Sequence, residues 1–213
     1  MKHYLALPRA AQKRKSPLAM IVGFLPLIVF ALLATVSQDL ALWAAFAAAF
    51  AVGIRDFAHE RMIRLLDGGA TVLFGALALY AGFIQPSLTI EMTRLVVDSG
   101  FFVLALFSIL IRNPLTLQYA REQASDDLWQ TKRFRLTNYG LTALWMLVFA
   151  AMAAVDAFTN VHKDLPTSYD AAAGLVLLTL ATGFTARYPG HLRSRAEPAN
   201  RPARGFAGST RPR

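Results

Sequence analysis

Residues 18–36, LAMIVGFLPLIVFALLATV, form an unbroken run without a charged side chain. A helix needs about 20 apolar residues to cross the hydrocarbon core of a bilayer, so this stretch predicts a transmembrane helix. A cleaved signal peptide is the competing interpretation, because the residues before the stretch are basic. The apolar core of a signal peptide usually has only about 7–15 residues, which favours a retained span.

Five more apolar stretches follow along the chain. The whole sequence is 55% hydrophobic and only 16% charged, whereas soluble domains have about 45–50% apolar and about 25% charged residues. We therefore predict an all-α, polytopic membrane protein with about six transmembrane helices between residues 18 and 186. The five further predicted spans are Leu40–Ile54, Ala70–Ile84, Leu95–Ile111, Thr137–Phe158 and Ala171–Ala186.

The basic residues are distributed very unevenly around these spans. In a six-helix arrangement, all of the 22 Lys and Arg residues except Arg94 and Lys163 fall on one side of the membrane. Because Lys and Arg are enriched in cytoplasmic segments, this distribution predicts that both chain ends are cytoplasmic. Residues 1–17 form a basic N-terminus. Residues 187–213, rich in Arg and Pro and poor in apolar residues, are expected to be a disordered tail beside anionic lipid rather than a nucleic-acid binder.

Two longer cytoplasmic loops are expected at residues 55–66 and 112–136. The first, RDFAHERMIRLL, has the pattern of an amphipathic continuation of the second span along the membrane surface. The second begins with RNPLTLQYARE at Arg112–Glu122. Asn113 suits a helix N-cap and Pro114 suits a first helical position, so we predict a short helix from Pro114 to about Ala124.

The start of this short helix is a candidate binding site for an anion or a lipid phosphate. Helix N-termini expose backbone N–H groups, and a neighbouring guanidinium adds charge-assisted hydrogen bonds. The alternative is an interfacial helix anchored by basic and aromatic residues, with Trp129 and Phe134 at the membrane surface. The candidate residues are Arg112, Asn113, Thr116, Tyr119 and Arg121.

Ionisable residues within predicted spans form a second candidate site. Asp98 follows Arg94 by four residues, so the two share a helix face, and Asp156 lies near the same end of the fifth span together with Asp39 and Glu91. These carboxylates could admit a proton or a cation, with Thr142 as a further polar residue. The alternative is that they lie among lipid headgroups, where a charge costs far less than at the bilayer centre.

The residues that many enzymes require are missing from the sequence. There is no cysteine, and none of the four histidines falls within a span, so thiolate sites and paired intramembrane haem ligands are excluded. The spacings of zinc-protease, P-loop, Rossmann and nucleophile-elbow motifs do not occur. We predict no enzyme activity, no metal and no cofactor.

The Arg112–Glu122 stretch, continued by Trp129, Phe134, Asn138, Thr142 and Trp145, resembles a family of uncharacterised bacterial inner-membrane proteins. That family carries a P-F-T-L-Q-Y-A-R-E motif, in which Leu115 of this chain replaces Phe. The family is distantly similar to the intracellular septation protein A group. The resemblance implies a multi-pass protein of the bacterial inner membrane and implies no reaction.

Three functions remain open at this point. The first is a structural or accessory membrane subunit or an envelope-associated factor. The second is a small transporter or channel that uses Asp98, Asp156 and Thr142, and the third is lipid binding at 113–121. The expected partners are the bilayer, anionic lipids at its cytoplasmic face, and protein partners or further copies of the chain, with no nucleic acid.

Overall fold

The computed structural model of the chain describes residues 22–60, 63–123, 129, 131–162, 164 and 167–194. Within these ranges the chain is helical and contains no strand, as predicted. The basic N-terminus at 1–17 and residues 195–213 of the tail lie outside the described residues. The helices are α1 (Leu25–Leu33), α2 (Gln38–Glu60), α3 (Leu65–Leu79, continued by a π-helical turn at Tyr80–Ile84), α4 (Ile90–Leu110), α5 (Leu115–Gln123), α6 (Lys132–Val161) and α7 (Thr167–Ser194).

Four of these helices are long and apolar enough to cross a membrane. They are α2, α3 with its π-helical turn, α4 and α6. Three of them contain a whole predicted span, and α4 ends one residue before the end of the span Leu95–Ile111. The first predicted span begins outside the described residues, and α1 covers only nine of its residues. The apolar part of α7, Ala171–Arg187, is shorter than the other four spans. The prediction of about six spans is therefore confirmed for four.

The ends of several helices differ from the predicted spans. Helix α2 continues through residues 55–60, and α7 continues to Ser194, so part of the tail that was expected to be disordered is helical. Helix α6 begins five residues before the apolar stretch, and the Thr131 hydroxyl caps it by accepting a hydrogen bond from the Phe134 amide at 3.3 Å. Hydropathy marks the limits of the hydrocarbon core, whereas a helix extends wherever each added residue gains a backbone hydrogen bond.

Aromatic side chains from four parts of the bundle form the centre of the core. Phe24, just before α1, stacks on Trp145 of α6 with 4.2 Å between ring centroids. Phe149, one turn further along α6, stacks on Phe101 of α4 at 5.2 Å. Phe74 of α3 lies 6.0 Å from Phe101. Aromatic pairs at these separations add stabilisation beyond the apolar area that they bury, so this cluster holds the helices in register.

The outer surface of the bundle is apolar. Only 33–44% of each of the four spans is buried, and large side chains such as Val72, Phe83 and Leu147 are 62–77% exposed. Soluble proteins rarely expose apolar patches of this extent, whereas lipid is the solvent that accepts them. The fold is a helical bundle whose apolar surface is compatible with an integral membrane protein.

The short turns define two ends of the bundle. What we name the Arg64 end contains the C-terminus of α2, the start of α3, the end of α4, helix α5 and the start of α6. What we name the Arg94 end contains the starts of α2 and α4 and the end of α6. At the Arg94 end, the Gln38 side chain donates to the Leu88 carbonyl at 3.1 Å and ties α2 to the turn before α4.

Candidate functional site

The segment that carries the family resemblance begins with a left-handed residue. Arg112 has a φ of 59°, which is uncommon for a residue with a Cβ. Its amide donates to the Ile109 carbonyl and the Asn113 amide donates to the Ser108 carbonyl, both at 3.0 Å. These two bonds are a Schellman motif that ends α4, with arginine in the position usually held by glycine. The turn redirects the chain into α5.

Helix α5 confirms the predicted short helix, since it runs from Leu115 to Gln123. It is not an interfacial helix lying on the surface, because Leu115, Leu117 and Tyr119 are at most 3% exposed. Its nine residues pack against α6. The apolar positions of the motif, which an interfacial helix would turn toward lipid, here face protein.

The first amides of α5 bond to protein oxygens. The Leu115 amide donates to the Ser108 hydroxyl at 3.3 Å, and the Thr116 amide donates to the Thr142 hydroxyl at 3.2 Å. The Thr116 hydroxyl donates to the Asn138 carbonyl at 2.7 Å. Thr116, Asn138 and Thr142 are all buried. Thus three residues that the sequence singled out hold α5 against α6.

Anion binding at this helix start stays a prediction. Its five candidate residues differ in exposure: Thr116 and Tyr119 are buried, Asn113 is half-buried, and Arg112 and Arg121 are exposed. In this conformation the amides of residues 115 and 116 are occupied, so the two exposed guanidinium groups are the part of the candidate site that a lipid phosphate could reach.

Gln118 and Tyr119 join α5 to α3. The Gln118 side-chain oxygen accepts from the Leu65 amide at 2.9 Å, at the first residue of α3. The Tyr119 hydroxyl donates to Oδ1 of Asp67 at 3.1 Å. Gly23 lies against the same hydroxyl, and a Cβ at position 23 would collide with it. The approach of the segment before α1 to α5 therefore requires glycine there.

A buried charge cluster surrounds the Tyr119 hydroxyl. It consists of Asp56, Arg64 and Asp67, whose side chains are all at most 7% exposed. Arg64 forms an ion pair with Asp56, and its Nη1 lies 3.6 Å from Oδ2 of Asp67. The guanidinium carbon of Arg64 lies 4.7 Å from the centre of the Tyr119 ring, a cation–π contact. Buried charges persist where they are paired in this way.

Burial raises the pKa of the Tyr119 hydroxyl well above its ordinary value, and the neighbouring Asp67 carboxylate raises it further. The phenol therefore stays protonated at physiological pH and donates a hydrogen bond to Asp67. The hydrogen bond between Tyr119 and Asp67 thus links α5 to α3.

The charge cluster was not predicted from the sequence. Residues 55–66 were interpreted as an amphipathic segment along the membrane surface, but Asp56 and Arg64 are buried. Arg55 is half-exposed and donates to Asp56 at 2.8–3.0 Å. The available signal was the spacing of Arg64 and Asp67, which at i,i+3 share one face of a helix. That spacing does not reveal that Asp56 faces them from α2.

At the Arg94 end, the structure brings together three of the predicted intramembrane polar residues. Arg94, Asp98 and Asp156 line one open cavity of about 290 Å³, whose wall is formed by α1, α4, α6 and α7. Asp98 and Asp156 are 5% and 3% exposed. The rest of the wall is mainly apolar and includes Leu27, Phe30, Met152 and Leu178.

The other acidic and polar residues named with this site lie elsewhere. Asp39 is exposed and Glu91 is half-buried, and neither lines the cavity. Thr142 belongs to the α5–α6 contact, fourteen residues before Asp156 on α6, which corresponds to about 21 Å along a helix. Thr142 is therefore not part of the Arg94, Asp98 and Asp156 group.

Comparisons of the chain with models of known protein families, with curated proteins and with solved structures found no match.

Proposed function

We propose that the chain is a multi-pass protein of the bacterial inner membrane with both ends in the cytoplasm. The apolar surfaces of the four spans support membrane insertion. The placement of basic residues supports the orientation, since Arg112, Arg121, Lys132, Arg133 and Arg135 are all exposed at the Arg64 end and cytoplasmic loops are enriched in such residues. The resemblance of Arg112–Glu122 to a bacterial inner-membrane family supports the location.

We further propose that its role is that of a structural or accessory membrane subunit, or an envelope-associated factor. The observation that carries this proposal is that the Arg112–Glu122 segment, the most distinctive part of the sequence, makes contacts within the bundle. Thr116, Gln118 and Tyr119 contact α6 or α3, so the motif joins three helices at the Arg64 end. That end presents a basic surface suited to anionic lipids or to an acidic protein partner.

Purification in a mild detergent tests this role. A structural or accessory subunit is expected to co-purify with a specific protein partner. A variant with Arg121, Lys132 and Arg135 changed to Gln should retain its fold and lose that partner, because it lacks charge only at exposed positions. Recovery of the unaltered chain alone as a monomer, in repeated preparations, would argue against a subunit.

A small transporter or channel is the second candidate function. It is favoured by the cavity that Asp98 and Asp156 share with Arg94, because ionisable residues inside a membrane protein commonly mark ion or substrate pathways. In proteoliposomes, Asp98→Asn is expected to abolish flux, whereas Asp39→Asn, at an exposed acid outside the cavity, should leave it unchanged. The absence of flux across a broad substrate panel would retire this candidate.

A further inference from the structure

Two arginines lie where the apolar surface of the bundle ends. On α4, the exposed residues Leu110 and Ile111 are followed directly by exposed Arg112. On α6, exposed Arg135 directly precedes exposed Leu136. Neither arginine forms an ion pair with a described residue. Each therefore presents a positive charge beside an apolar surface.

The stacked aromatic rings of the core show that the two arginines lie at similar depths. Phe101 of α4 stacks on Phe149 of α6 with 5.2 Å between ring centroids, so these two residues share one level of the bundle. Arg112 comes eleven residues after Phe101, and Arg135 comes fourteen residues before Phe149. Because the two helices run in opposite directions, the arginines lie about 16 Å and about 21 Å from that level, on the same side.

That depth corresponds to the lipid headgroups. Helix α4 has 21 residues and is therefore about 31 Å long, close to the roughly 30 Å thickness of the hydrocarbon core. Phe101 is next to the middle residue of α4, so the hydrocarbon core extends about 15 Å to either side of it. Both arginines lie just beyond this limit, at the level of the lipid phosphates.

The backbone of Arg112 supports a role for its side chain. Its φ of 59° is a conformation that glycine adopts without strain and that is costly for a residue with a Cβ. Strained residues are found preferentially where the strain serves a function. Glycine would end α4 equally well, but it would not place a guanidinium group at this boundary.

We propose that Arg112 and Arg135 form a binding site for anionic phospholipids of the membrane. Their guanidinium groups hold lipid phosphates through charge-assisted hydrogen bonds, and the acyl chains lie along Leu110, Ile111 and Leu136. A phospholipid matches both the charged and the apolar parts of this surface, whereas an acidic soluble protein matches only the charges. A zwitterionic lipid gains less, because its net charge is zero.

This inference rests on the membrane insertion proposed above and identifies the lipid partner of the Arg64 end. The site differs from the anion site that the sequence predicts at the start of α5. The amides there bond to protein oxygens, and Arg112 is the residue that the two sites share.

The test uses the full chain in nanodiscs with equal amounts of phosphatidylglycerol and phosphatidylcholine that carry the same acyl chains. Native mass spectrometry then counts the lipids of each kind that stay bound to the released chain. The wild-type chain is expected to retain phosphatidylglycerol in preference, and each arginine should contribute about fivefold to the ratio. Equal retention of the two lipids would overturn the proposal. Both faces of a nanodisc are accessible, so this result is independent of the orientation in the cell and of any protein partner.

Three kinds of variant locate the site. Arg112→Gln and Arg135→Gln should each lower the ratio about fivefold. Arg112→Gly should lower it equally while relieving the strained backbone, so its loss of lipid cannot be attributed to unfolding. Arg112→Lys keeps the positive charge and should keep most of the preference. An unchanged ratio in Arg112→Gly and Arg135→Gln would overturn the proposal, and loss of an acidic protein partner in these two variants would then assign the surface to that protein.

Lys132→Gln is the matched control. It removes one positive charge from an exposed residue that lies three positions before Arg135 on α6, about 4.5 Å further from the hydrocarbon core. It is expected to lower the ratio much less than Arg135→Gln does. Equal losses in the two variants would mean that the overall charge of this end attracts the lipid, and the proposed site would fail.

Discussion

Tyr119 is the residue through which α5 contacts the charge cluster of Asp56, Arg64 and Asp67. Tyr119→Phe removes the hydrogen bond to Asp67 and leaves a buried carboxylate oxygen without that donor. We expect a loss of about 1–3 kcal/mol in unfolding free energy, the usual cost of such a group. The measurement is unfolding by SDS in mixed micelles. Tyr80→Phe, at an exposed ring, is the control, and an equal effect of both changes would contradict the role of Tyr119.

The same contact predicts how stability depends on alkaline pH. The pKa of Tyr119 is higher in the folded chain than in the unfolded chain, so its stabilising contribution is fully present below the unfolded value of about 10 and is lost as pH rises toward the folded value. Absorbance at 295 nm should show Tyr119 as the last of the six tyrosines to ionise. Tyr119→Phe should remove that last step. A titration with the same final step in both chains would contradict the prediction.

Arg112 is strained at the residue scale because its backbone is left-handed. Such a conformation costs a residue with a Cβ about 1–2 kcal/mol. Glycine avoids this cost, but it loses more conformational entropy on folding, which offsets part of the gain in stability. Arg112→Gly is therefore expected to raise the unfolding free energy by about 1 kcal/mol. Arg112→Ala, which removes the charge and keeps the Cβ, is the control. Equal stability of the Gly and Ala variants would argue against strain.

At the scale of elements, the docking of α5 depends on the Thr142 hydroxyl of α6. Thr142→Val leaves the buried Thr116 amide without its acceptor, which costs about 1–3 kcal/mol. Hydrogen exchange of the α5 amides should become at least tenfold faster, since about 1.4 kcal/mol of local stability corresponds to a factor of ten. Thr142→Ser keeps the hydroxyl and should exchange like the wild-type chain. Unchanged exchange in Thr142→Val would show that other contacts hold α5.

At the scale of the whole molecule, the proposed orientation is directly testable because the chain has no cysteine. Single cysteines at exposed Gln85 and exposed Arg121 report the two ends of the bundle. In intact spheroplasts, a membrane-impermeant maleimide should label Gln85→Cys, whereas Arg121→Cys should react only after lysis. The cysteine-free parent is the control. The reverse labelling pattern would overturn an orientation with both ends in the cytoplasm.

Several features of the fold and of the candidate site were predictable from local sequence. The run of apolar residues at 137–158 predicts a span because lipid rewards apolar side chains all around a helix, and α6 contains that run. Asn113-Pro114 predicts the start of α5 because capping depends on neighbouring residues alone. The i,i+4 spacing of Arg94 and Asp98 likewise places both on one helix face.

Contacts between distant residues were beyond such reasoning. Tyr119 and Asp67 are 52 residues apart in the chain, and Trp145 and Thr185 are 40 apart, yet each pair shares a hydrogen bond. The sequence placed Asp98 of α4 and Asp156 of α6 at the same end of their spans, but the local pattern does not show that they line one cavity or that Arg64 is buried. These facts depend on which faces of the helices pack together.

The sequence by itself thus determined that the chain is helical and that its helices are apolar enough to cross a membrane, since hydropathy and helix capping act over one or two turns of a single helix. The tertiary structure alone decided what the polar residues do. It turned the distinctive motif of α5 inward. It brought Asp56, Arg64, Asp67 and Tyr119 together at one end of the bundle. At the other end it placed Arg94, Asp98 and Asp156 in the wall of one cavity. The physical reason is that a polar group in an apolar surrounding needs a partner, and only the packing of the helices determines which partner it meets.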